Sequence, residues 1–79
     1  MEVLYDRVLD LLRRLREAGR PEDAGDVLAA LTQACNPREI LAELRYAASE
    51  IQEEGLPVDL ANAKRALLDE VERQWRDMP

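Results

Sequence analysis

At 79 residues the chain has room for one domain with a thin core, because small domains remove a smaller share of their surface from water. Eleven Lys and Arg against 17 Asp and Glu give a net charge of -6 and a pI near 4.6, a field that disfavours direct nucleic-acid binding and favours basic protein partners. With no histidine and one cysteine the chain lacks the commonest general base, a usable zinc set and any internal disulfide, so no catalytic, metal or cofactor role is expected.

The first stripe of helical period predicts a helix over residues 2–18, with Leu4, Val8, Leu11, Leu12 and Leu15 on its buried face and Tyr5 and Leu9 widening that face. Gly19, Arg20 and Pro21 punctuate the chain. Gly19 suits a left-handed position after a helix, and Pro21 suits a first turn. A second helix over 21–35 would bury Ala24, Val27, Leu28, Leu31 and Cys35, with Glu22 and Asp23 at its positive end. Gly25, Ala29 and Thr32 form a small-residue ridge beside that stripe. Gly25 costs a helix about 1 kcal/mol relative to Ala, which predicts close approach of another helix at Ala47 and Ala48, or else a groove for a partner.

Asn36 and Glu39 have capping-box spacing, and Pro37 opens a third helix over 37–54 that uses Ile40, Leu41, Leu44, Ala47, Ala48 and Ile51. Gly55, Leu56 and Pro57 form the last break, with Gly55 in the same left-handed role as Gly19. A fourth helix over 60–77, N-capped by Asp59, carries Leu60, Ala63, Leu67, Leu68, Val71 and Trp75, with Met78 at its end. Trp75 and Met78 are read as core, with an interface as the alternative. Lys64, the only lysine, falls inside the apolar face of this helix. Its stem should pack while its ammonium reaches water or a carboxylate, or else meets a subunit boundary.

A shift of 36 residues superimposes Gly19 on Gly55, Pro21 on Pro57, Asp23 on Asp59 and Leu31 on Leu67. That offset is also ten helical turns, so the agreement has two readings, a duplicated hairpin or a shared phase. Leu11, Leu15, Gly19, Ala24 and Leu28 resemble one tetratricopeptide hairpin. The second hairpin departs from that pattern at Leu60 and Lys64, and two units are too few for a solenoid, so the chain is not assigned to the family. The expected fold is all-α, a single domain over 1–79 of four antiparallel helices in two αα-hairpins. They form either one compact four-helix bundle or hairpins completed by dimerisation.

Function has to be read from the surface. Tyr46 points nearly opposite the mean direction of Ile40, Leu44 and Ile51, so it should be solvated, with Ala42, Glu43, Ser49, Glu50 and Glu53 around it. Tyr46, Ala42, Glu43, Glu50 and Glu53 are therefore the candidate partner-binding residues. An acyl carrier role is excluded, because the only serine, Ser49, lies mid-helix between Ala48 and Glu50. The expected function is a noncatalytic protein-protein interaction module, a small acidic adaptor or assembly subunit with a protein partner, in which a homodimer is also expected. The alternative is an acidic inhibitor, such as an antitoxin, immunity protein or phage-encoded antagonist, acting on a basic or nucleic-acid-binding target. The lone cysteine and the absence of a secretory apolar segment point to the cytoplasm. Charges punctuate every apolar run, which leaves no membrane span. Ten of the eleven basic residues are Arg, which suggests a GC-rich prokaryotic or phage gene.

Overall fold

The four stripes of helical period become four helices in the computed structural model, which describes residues 2–78: α1 (Glu2–Glu17), α2 (Pro21–Gln33), α3 (Pro37–Ser49) and α4 (Val58–Asp77). No strand occurs among the described residues. Helix α1 packs against α2 and α4, and α3 packs against the same two, while neither diagonal pair is in contact. That ring of neighbours is a four-helix bundle measuring 38 × 21 × 20 Å, and it closes its core within one chain. Of the two architectures expected, the compact bundle is the one formed.

Leu4, Val8, Leu11 and Leu15 of α1 are fully buried against Val27, Leu41, Leu44, Ala48 and Leu67 of the other helices. Several expected core positions are not core. Tyr5 and Leu9 are exposed, because they lie roughly 90° and 130° round α1 from the buried stripe, and a helix touching only two neighbours does not bury half its circumference. Leu28 is exposed at 38%, on the flank of α2 away from α3. Cys35 is exposed because α2 ends at Gln33, two residues before it. Ala30 takes the buried place instead.

The first interhelical turn is a Schellman motif. Gly19 N donates to Arg16 O at 3.1 Å and Arg20 N to Leu15 O at 2.9 Å, with Gly19 at φ 72°. Asn36 caps α3 as its spacing predicts: its side chain accepts from Glu39 N at 2.9 Å. The Glu39 carboxylate reaches back one residue further than in a capping box, to Cys35 N at 3.0 Å.

The third connection corrects three expectations. Helix α3 stops at Ser49 rather than near 54, so Gly55 does not cap it. Gly55 instead takes φ 77° within a separate turn closed by Leu56 N on Glu53 O at 3.0 Å. Helix α4 starts at Val58 with Pro57 in the cap position, and Asp59 lies in its first turn, where it binds Arg14 of α1 at 2.8 Å instead of capping. Backbone bonds from Glu50 N to Tyr46 O and from Ile51 N to Ala48 O close the end of α3, and Lys64 of α4 ties down the loop that follows. Its ammonium, 7% exposed as a residue, donates to Ile51 O at 2.9 Å and pairs with Glu53 at 3.4 Å. A backbone carbonyl joins the carboxylate that the sequence predicted, and Ile51 stays buried beyond the last helical turn.

Candidate protein-binding face

The register of α3 fixes where Tyr46 points. Leu41, Leu44 and Ala48 are fully buried, which rotates the tyrosine ring outward to 67% exposure, as the phase of the stripe predicts. Glu39, Glu43, Tyr46 and Glu50 follow at helical spacing along the edge of α3 that faces α2. There they line an open groove of about 480 Å³ with Asp26, Ala29 and Gln33 of α2. The groove exists because the seam between these helices is built of alanines: Ala29, Ala30, Ala34 and Ala47 fill too little space to bring the outer edges together. Of the small-residue ridge on α2, Ala29 borders this groove. No other helix closes on Gly25 at its side-chain position, since a methyl group placed there would meet no atom within 4 Å beyond its own helical turn.

Charge along the groove is one-sided. Asp26, Glu43 and Glu50 make no ion pair with any described residue, whereas Glu39 is committed to the start of α3. Glu53 does not belong to this strip. Because α3 ends at Ser49, Glu53 lies in the following loop beside Lys64, apart from the other candidates on the helix.

Ala42 and Ser49 fall on the other side of Tyr46, where the neighbours are basic and aromatic. With Arg45, Tyr46 and Trp75 they line a second hollow of about 350 Å³ between α3 and α4. Trp75 is 41% exposed rather than core, and the Arg38 guanidinium lies 5.7 Å from its ring centroid, in cation–π range. Met78 is half-buried against the core. Tyr46 therefore stands on a divide between an acidic seam and an arginine-aromatic seam. The acidic neighbours were legible in the sequence. Arg38, Ala42, Arg45 and Ser49 also recur at helical spacing, a signal for the second seam that an acidic reading of α3 overlooks.

Two carboxyls with shifted acidity lie away from this face. The Arg73 guanidinium, and then the Gln74 amide, hold Glu70 below its ordinary 4.5, which explains how a glutamate only 9% exposed is accommodated on α4. Partial burial pushes Asp10 up, but the guanidiniums of Arg14 and Arg13 outweigh it and leave the group below its ordinary 3.8. Both carboxyls are paired with residues of their own helix. Among the described residues no group of three or more His, Cys, Asp or Glu is placed to hold a metal ion, and no helix is long and apolar enough to cross a membrane. Compared with family models, curated proteins and solved structures, the chain matches none.

Proposed function

We propose that the chain is a noncatalytic interaction module that uses Tyr46 and the acidic α2–α3 groove to hold a basic segment of another protein. One observation carries this reading: a tyrosine 67% exposed and unused by the core stands at the lip of a groove whose Asp26, Glu43 and Glu50 have no ion pair with a described residue. A rigid amphipathic ring supplies contact area at low entropic cost, and unpaired carboxylates steer a cationic partner and reject acidic competitors. The noncatalytic part of this reading rests on the composition, which has no histidine and a single cysteine. The cytoplasm, where single thiols stay reduced, is part of the same proposal.

The test begins by capturing the partner from the source cell and identifying it by mass spectrometry. Affinity is then measured with Tyr46→Ala, whose stability should change by no more than about 0.5 kcal/mol and whose binding should weaken by about 2 kcal/mol or more. Glu50→Gln should mainly slow association and flatten its salt dependence. A melted Tyr46→Ala protein with unaltered affinity per folded molecule overturns the proposal.

The second reading, an acidic inhibitor that occupies a nucleic-acid-binding surface, draws on the same unpaired carboxylates and the net charge of -6. It requires that nucleic acid compete with the chain for its target and that binding collapse with salt. Arg38 and Arg45 beside Trp75 favour the first reading, because they interrupt the acidic surface that mimicry needs.

A further inference from the structure

We propose that the solvent edge of α1 is a self-association surface, on which two copies of this chain pair antiparallel about a two-fold axis at Leu9. This surface is separate from the Tyr46 face and does not rest on the reading given for it.

Leu9 and Tyr5 are 59% and 42% exposed in the outward half of α1, and Leu28 of α2, 38% exposed, lies on the flank of that helix turned away from the α3 groove. What selects the occupant is the charge around Leu9. Glu2 and Asp6 precede it, Arg13 and Arg16 follow it, and all four are exposed on the same outward half of the helix. Glu2 and Arg16 are each seven residues from Leu9, and Asp6 and Arg13 are three and four residues away. A two-fold axis at Leu9 therefore sets each carboxylate opposite a guanidinium of the other copy and leucine against leucine. A parallel pairing would oppose like charges at every one of these positions. An isologous contact needs a patch complementary to itself, and this sequence of charges is such a patch. Glu2, Asp6 and Arg16 have no ion pair with a described residue. Arg13 touches Asp10 and Glu17 at 2.9 and 3.3 Å, but these are exposed pairs of the kind that contribute little and exchange readily. Since the bundle closes within one chain, the dimer is an added contact rather than a completion of the core.

Sedimentation velocity from low micromolar to millimolar concentration should show a reversible dimer. Leu9→Asp should abolish it while leaving a cooperative helical melt, because the side chain it replaces is mostly in solvent. Arg16→Glu should weaken association by about tenfold or more, and adding Glu2→Arg to the same chain should recover most of that loss. In a Cys35→Ser background, Leu9→Cys should oxidise to a disulfide dimer much faster than Val58→Cys, an exposed site on α4. Tyr46→Ala should dimerise like the parent chain. A monomer throughout the concentration range overturns the proposal, as does a dimer indifferent to Leu9→Asp. Failure of the charge swap to restore a folded chain's association rejects the antiparallel register, and dissociation by Tyr46→Ala would move the contact to the other face.

Discussion

In the α1–α2 hairpin the chain reverses in residues 18–20, and backbone bonds at Gly19 and Arg20 close the turn locally. The α3–α4 hairpin takes residues 50–57, and into this connection a side chain of α4, Lys64, reaches back to Ile51 O and Glu53. The position matching Lys64 in the first hairpin, at the 36-residue offset, is Leu28, whose apolar side chain is 38% exposed and can donate no hydrogen bond to the turn. Similar glycine and proline punctuation thus supports two constructions, one closed by consecutive backbone bonds and one that adds the Lys64 side chain to its own local backbone bonds.

The largest effect should separate the hairpins at that pair of positions. Lys64→Met keeps the stem's volume but leaves a buried carbonyl without its donor, so it should cost about 2 to 3 kcal/mol, whereas Leu28→Ala should cost less than about 1 kcal/mol. Urea denaturation of both variants reads the difference directly. Equal losses would mean that the second hairpin is held by something other than Lys64.

The glycines come next. Gly19 and Gly55 have φ of 72° and 77°, so alanine should cost about 1 kcal/mol at either site. The loss should be greater at Gly19, which is locked by two Schellman bonds, than at Gly55, whose longer loop can relax. Thermal melts that rank them the other way would make the first turn the more tolerant one. Gly25 should behave in the opposite sense. It lies mid-helix with open space around it, so Gly25→Ala should raise stability by about 0.5 to 1 kcal/mol, and a loss would reveal a neighbour that the bundle does not provide.

The smallest expected effect is electrostatic and occurs in both hairpins. Asp10 in the first and Glu70 in the second are held below their ordinary values of 3.8 and 4.5, so the stability they add is complete above about pH 4.5. It is lost as pH falls through the lowered native values. Glu70→Gln should therefore flatten the acid limb of a stability-versus-pH curve while leaving the dependence above about pH 6 unchanged. An acid limb identical to that of the parent chain would remove Glu70 from the account.

The sequence by itself determined four helices, the starts of α2 and α3 at Pro21 and Pro37, the left-handed glycines and the outward direction of Tyr46. All of these follow from period, capping chemistry and backbone sterics, which act within a few residues. Helix ends without a local stop were decided elsewhere: nothing between Ser49 and Gly55 marks the end of α3, and the donor that takes up the Ile51 carbonyl is supplied by α4. The candidate face divides along the same line. Its acidic side could be read from spacing on α3 alone. Only tertiary packing drew Glu53 away to Lys64, brought Asp26 into the groove and placed Trp75 beside Arg38 and Arg45, because those neighbours belong to different helices and their distances are set by how the alanine-rich seams close.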